Sequence, residues 1–479
     1  MWQGSARSVR LDDARRVSCT VSPSRRHQGI TDLTIPNTKT WPKLTNEEEF
    51  RFLADLVLKR AAANHTVVNL HDQHTGTTRF ANSRIVQNVD TRRGTLTVTV
   101  AFDGRRGSAS TTDFTAGAVQ DTLARAERIA RVSPEDPEYL PPPEPQVFQT
   151  PLTSRPETAA AGPSRRLEYA NEAIGQCRIE NLQAAGIVSS SVASVGVAAS
   201  NGLFAQEERT EARFSLTVQA DDATGWSAAA HRSIDHLKIQ DRTLSAINKA
   251  KRSRDVQELA PGRYRVILEP AAAAGLWSWL LWMLDAKSYE KGTSPFAGQL
   301  GRHILDERLT LQNLPGHADL LGTGFTHEGL PSEDAVWIDK GVLKQLAYDR
   351  FTAKQHGVKH IATLEAPCVS ASGPVASKTQ ELIKQCERAI LVTNFWYIRT
   401  VNPTDLTLTG MTRDGTFLVE DGQITSAVRN FRFHESPLRV FKHVDALTEP
   451  VEAVTSETGK MLVPAMVLRD FNFSSVTRF

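Results

Sequence analysis

Cysteine is scarce, with four in 479 residues. Cys19, Cys177, Cys368 and Cys386 stand too far apart for a CxxC pair or a metal-ligand spacing, which excludes a disulfide framework and suits free thiols in a reducing cytoplasm. An excess of either charge is also missing. Fifty-six basic residues face 54 acidic ones, a formal net charge of +2. No basic footprint for nucleic acid or an acidic membrane is expected from that balance. A long hydrophobic run is absent too: the most apolar stretch, Ala271 to Leu284, falls short of the roughly 20 residues that span a bilayer. The first 40 residues contain no apolar core of a secretory signal. They carry Arg7, Arg10, Arg15, Arg16, Arg25 and Arg26 with few acids, and residues 1–44 are read as a disordered extension outside the fold.

What remains has the make-up of an ordinary globular protein, 40% hydrophobic and 23% charged, and is long enough for two or three domains. Thr45 to Ala63 is predicted as a helix, with Thr45 as cap, Glu48 completing a capping box, and Phe50, Leu53, Leu56 and Val57 on one face. A short strand (Thr66 to Leu70), the polar loop HDQHTG, and strands at Thr78 to Val89 and Gly94 to Phe102 follow. The small-residue segment Gly107 to Asp113 leads to a helix from Ala116 to Val132, which Asp113 can cap. Ser133 to Pro163, containing PEDPEYLPPPEP, reads as a linker.

The next stretch resembles the first. After a helix from Arg165 to Ala185 and a strand near Ile187, ASNGL at Ala199 answers FANSR at Phe80. RFSLTV (Arg213 to Val218) answers TLTVTV (Thr95 to Val100), and GWSA at Gly225 answers GSAS at Gly107. The last two pairs are offset by 118 residues, and Asn82 from Asn201 by 119, which points to a duplicated α/β unit over 45–132 and 164–260. From Gly262 the pattern turns to β. A strand (Tyr264 to Leu268) precedes a helix starting at Pro270 that is apolar on every face and therefore buried. Helical patches are expected at Asp349 to Gly357 and Lys378 to Cys386, and strands at Leu406 to Thr409, Thr416 to Glu420 and Gln423 to Val428. Asp421-Gly422 and Arg413-Asp414-Gly415 read as hairpin turns. The expected fold is α+β: two similar N-terminal α/β units followed by a β-rich C-terminal domain (261–479), an antiparallel barrel or curved sheet.

Four runs occur in order beyond that helix: GTSPFAGQLG (Gly292 to Gly301), HEGLP (His327 to Pro331), DKGVLKQLAYDRFTAKQHG (Asp339 to Gly357) and NPTDLTLTGMTRDGTFLVEDGQI (Asn402 to Ile424). Together they resemble the TldD/PmbA (TldD/TldE) family of bacterial peptidases, from about Thr45 to the C-terminus. In TldD-type subunits, the resemblance implies, the helix before GTS carries His-Glu-x-x-x-His, binds zinc and supplies the general base. Counting back from Gly292, the histidine positions fall on Trp277 and Trp282 and the glutamate on Ser278. An indole is no zinc ligand, and a hydroxyl cannot replace the carboxylate as base. The active subunit also uses a C-terminal cysteine, and this chain has none after Cys386.

Other groups offer little. His356 and His360 have a ligand-like spacing, but Gly357 lies between them. His71 and His74 flank the polar loop and are read as solvated. His327-Glu328 begins like a zincin signature, but Pro331 would break its helix; Glu328 and Gly329 instead match the family's Glu-Gly-x-Pro turn. Ser278 has only Trp277 and Trp279 beside it and no base to make it a nucleophile. Trp277, Trp279 and Trp282 serve as core packing, an interface anchor or the floor of a peptide channel, with packing the default. Glu328, Gly329, Arg413, Asp414 and Gly415 are candidates for a substrate channel or interface. The resemblance thus implies a metal-free PmbA/TldE-like subunit of a cytoplasmic complex, with zinc in a TldD-type partner and extended peptides as substrates. The alternatives are a self-associating scaffold that has lost protease function, and an enzyme with a different site in the C-terminal sheet.

Overall fold

A computed structural model describes residues 43–148, 152–455 and 459–477. All but the last two residues of the expected N-terminal extension, and with it Cys19, lie outside them. The first helix, α1 (Glu47–Leu58), is capped one residue later than expected: Asn46 and Glu49 exchange side-chain and backbone hydrogen bonds of 2.8 Å. Thr45 is not free to cap, because its N–H and hydroxyl both donate to Asp72 at 2.9 Å. Strand β1 (His65–Ala81) runs straight through HDQHTG, so no loop forms there. The reason is internal pairing of its polar side chains. Asp72 is fully buried against Arg92, at 3.0 and 2.7 Å, and His74 lies 3.5 Å from Asp90. Arg166, fully buried, donates to both oxygens of Asp90 at 2.8 and 2.7 Å. The solvated reading therefore holds for His71 alone; His74 is buried. Gly76 makes room for this crossing, since a Cβ there would sit 2.0 Å from the Arg166 guanidinium.

The expected strand from Thr78 to Val89 is in fact a hairpin, turning at Asn82 and Ser83 (φ 48° and 55°) into β2 (Arg84–Phe102). The small-residue segment forms β3 (Arg105–Thr111), and α2 (Ala116–Val132) follows, capped by Thr115 rather than Asp113. Within the linker lies a one-turn helix, α3 (Pro156–Ala159). The second half then repeats the order with α4 (Pro163–Ile179), β4 (Gln183–Ala199), β5 (Phe204–Ala220), β6 (Ala223–His231) and α5 (Ile239–Arg252). Helix α4 stops before Ala185, which belongs to β4.

All six strands make one antiparallel sheet in the order β3-β2-β1-β4-β5-β6, with α1 and α2 over the first half and α4 and α5 over the second. The two hairpins share a register: Val68 faces Val98 as Gly186 faces Leu216, and Val100 faces Gly107 as Val218 faces Gly225. Gly107 and Gly225 also do the same work. A Cβ on either would come within 2.2 Å of a carbonyl of the covering helix, Ala126 in α2 or Ala246 in α5, so only glycine lets each helix approach its strand so closely.

The C-terminal half begins with β7 (Gly262–Leu268), α6 (Pro270–Trp282) and α7 (Ala286–Glu290). Next come β8 (Leu309–Asn313), β9 (Ala335–Asp339), β10 (Val342–Leu343), α8 (Arg350–His356), β11 (Pro367–Ala371), α9 (Thr379–Lys384) and β12 (Arg388–Val392). The chain ends with β13 (Phe395–Asn402), β14 (Thr407–Thr412), β15 (Thr416–Glu420), β16 (Gln423–Ala427), β17 (Phe431–Glu435), α10 (Pro437–Val440), β18 (Val444–Leu447), β19 (Val451–Thr455), β20 (Gly459–Val463) and β21 (Met466–Val476). A nine-stranded sheet runs β13-β14-β17-β21-β7-β12-β15-β16, with β18 on β21, and a six-stranded one runs β10-β9-β8-β11-β20-β19. This is the α+β fold expected, with its β-rich second half. Asp421-Gly422 makes the expected hairpin turn, both residues at positive φ. Arg413-Asp414-Gly415 does not: β14 pairs with β13 and β17 and β15 with β12 and β16, so this segment is a corner between strands that never meet.

Candidate functional site

Helix α6 touches β7 and β13 of the larger sheet and β19 and β20 of the smaller one, which explains why nearly all its faces are apolar. Pro270 opens it, and Glu269 just before it pairs with Lys249 of α5 at 2.7 Å. Trp277 is 0% exposed and stacks on Phe441 with ring centroids 5.0 Å apart. The Ser278 hydroxyl donates back to the Ala274 carbonyl at 2.8 Å and lies 3.3 Å from the Thr455 hydroxyl. The last turn emerges, contrary to the expectation of burial throughout: Trp282 is 48% exposed, edge-on to Trp279 at 5.0 Å. Five residues turn a regular helix by about 140° net. Trp277 and Trp282 accordingly face different surroundings, one the core and the other a groove.

That groove holds about 530 Å³ and is walled by Leu281, Trp282, Leu284, Trp337, Leu364 and Pro367, with Asp285 at its edge. Trp337 and Thr363 also line an adjoining cavity of about 660 Å³. Its polar wall carries Ser332, Glu333, Asp334 and Glu365, with Lys359 and His360 opposite in sign or neutral. Glu333 pairs with Lys359, and Glu365 accepts from the Thr323 hydroxyl and, at 3.5 Å, from Ser332. Burial holds the His360 imidazole below its ordinary value, against the opposing field of Glu328. Sequence reasoning missed Trp337, Leu364 and Glu365. They belong to a strand and a coil with no motif, and only the fold puts them beside Trp282.

The remaining candidates lie elsewhere. Glu328 and Gly329 form a turn closed by Gly329 N–H on the Thr326 carbonyl at 2.9 Å. Gly329, at φ 80°, has no room for a Cβ, which would lie 2.7 Å from Leu203 of the β4–β5 turn and 3.1 Å from Val197 of β4, so the turn seats one half of the molecule on the other. Glu328 stands 3.7 Å from Arg350 and 3.8 Å from His360. Arg413 lies over the Trp396 ring at 4.5 Å, and Asp414 is buried in the corner at φ 58° beside Gly415. No hydrogen bond or ion pair among the described residues joins these two sets to α6. His356 and His360 are separated by the left-handed Gly357 that ends α8, so they share no helix face. Cys177, Cys368 and Cys386 are buried free thiols, and burial pushes Cys177 up to about 11.

Three family models match the chain in order: PmbA/TldA metallopeptidase domain 1 over residues 67–130, the central domain over 156–254 and the C-terminal domain over 261–475. The chain belongs to the PmbA/TldD metallopeptidase family. Among curated PmbA/TldD relatives, the metalloprotease PmbA of Escherichia coli O157:H7 is 23% identical over 413 residues, covering 80% of this chain and 87% of its own. A PmbA homologue of Haemophilus influenzae is 24% identical over 447 residues, 88% of this chain and 96% of that one. In fold the chain is similar to the crystal structure of TldE from Thermococcus kodakarensis, with a TM-score of 0.80 at 19% identity over 89% of this chain and 99% of that one. A family member that held zinc on α6 would need imidazole or carboxylate donors there. Two indoles and a back-bonded hydroxyl do not fit the metal.

Proposed function

We propose that this chain is the non-catalytic subunit of a PmbA/TldD-type peptidase complex acting on small or unfolded peptides, with zinc and the general base supplied by a TldD-type partner. The observation that carries this reading is α6. Of the three positions where the family's zinc motif falls, Trp277 is stacked into the core, Ser278 is bonded to its own helix, and Trp282 offers an apolar ring to a groove. The role left to the chain is to shape and gate a peptide cavity. A cytoplasmic setting fits the free thiols, and no helix among the described residues is long and apolar enough to cross a membrane.

The test is metal content and peptide hydrolysis of the purified chain, alone and mixed with a TldD-type protein from the same genome. The expected outcome is a metal-free, inert chain that forms a stable complex and raises or redirects the partner's peptide cleavage. Stoichiometric zinc with cleavage by the chain alone would overturn the reading. A stable homodimer that ignores the partner would instead support a scaffold.

A further inference from the structure

The paired cavities beside Trp282 differ in character and share a wall. One is lined by Trp282, Leu284, Leu364 and Pro367, an apolar surface that suits a branched or aromatic side chain. The other is acidic. Of its three carboxylates Glu333 is matched by Lys359, whereas Asp334 and Glu365 face no cation within ion-pair distance among the described residues. His360, kept neutral by burial near pH 7, does not compensate them. The common wall is Trp337, 1% exposed, together with Thr363.

Resting on the reading of this chain as a peptide-handling subunit, we propose that the double cleft binds an extended peptide directly, seating an apolar side chain against Trp282 and a lysine or arginine against Glu365 and Asp334. Alternate side chains of an extended peptide project from one face about 7 Å apart, a spacing that places neighbouring pockets at positions i and i+2. The chain then selects what the complex receives, without performing chemistry. Selectivity resides in the degenerate site itself, because the indole standing where a zinc ligand falls is one wall of the apolar pocket.

The test is fluorescence anisotropy on the full chain alone, in EDTA, with fluorescein-labelled, end-blocked Gly-Leu-Gly-Lys-Gly and two controls in which Glu replaces the Lys or Gly replaces the Leu. The Leu/Lys peptide should bind at least about tenfold more tightly than either control, and more weakly as salt rises. Trp282→Ala should remove the preference for leucine and leave that for lysine. Glu365→Gln should do the reverse, and Asp334→Asn, at an exposed position, repeats that arm should Glu365→Gln impair folding. Equal binding of all three peptides, no binding, or variants indistinguishable from the parent would overturn the proposal. Because the chain is assayed alone and without cleavage, a negative result here leaves the subunit reading intact if the mixture still hydrolyses peptides. Zinc-dependent cleavage by the chain alone overturns that reading whatever the anisotropy shows.

Discussion

Replacing Trp277 by alanine separates a core residue from the wall of a cavity. An indole side chain buries about 150–250 Å², which at about 25 cal/mol per Å² corresponds to roughly 4–6 kcal/mol. Trp277 is fully buried against Phe441, so the whole of that area is lost from the folded state. Its N–H, however, has no acceptor, and removing an unsatisfied buried donor returns about 1–3 kcal/mol. The net expected loss is about 3 kcal/mol, near the lower end of the range for large-to-small changes at tryptophan. Trp282, about half exposed, buries about half that area and should lose about 2–3 kcal/mol on the same change. Urea unfolding followed by far-ultraviolet circular dichroism, with midpoints and slopes compared for both variants, reads the difference directly. If Trp277→Ala costs less than about 1 kcal/mol, the packing account of α6 is wrong.

Arg166→Met strands Asp90 beneath α4 with only His74 near it, and a broken buried pair of this kind should cost about 3–5 kcal/mol; a loss below about 1 kcal/mol in the same unfolding assay would refute it. Burial holds His74, His231 and His360 below the ordinary imidazole value. In the window just below about pH 6.5 the unfolded chain therefore binds more protons than the folded one, so stability is full above that pH and declines as pH falls toward the folded values. The urea midpoint should drop between about pH 7.5 and 5.5, and a level or rising midpoint would contradict the assignment.

What the sequence made legible is what local patterning controls. Helix α2 has the expected ends, the apolar run is a core helix up to its last turn, and the echoed asparagines and glycines mark equivalent turns and strands. What it hid depends on distant partners. HDQHTG looks like a loop until Arg92, 20 residues on, pairs with Asp72, and Asp90, itself held by Arg166, lies beside His74 inside the sheet. Thr45 looks like a cap until Asp72 claims it. The 412–415 corner looks like a hairpin until the flanking strands find their mates elsewhere. The cleft beside Trp282 was illegible for the same reason: Glu365, Leu364 and Trp337 become neighbours only once β8, β9 and β11 have assembled.

The seam between β1 and β4 pairs Leu70 with Gly196 and Thr78 with Val188. Shifted by the repeat's own offset, the first of these pairs becomes the second, so the contact is isologous, as in a two-fold dimer. The N-terminal half of the molecule is thus a dimer written in one chain, with residues 133–155 and the short helix α3 as its tether. Neither partner is dispensable. Excising either half would leave a bare 17-residue strand edge, β1 or β4, as a template for another copy, so truncation at the tether should trade a folded sheet for self-association rather than yield a working fragment.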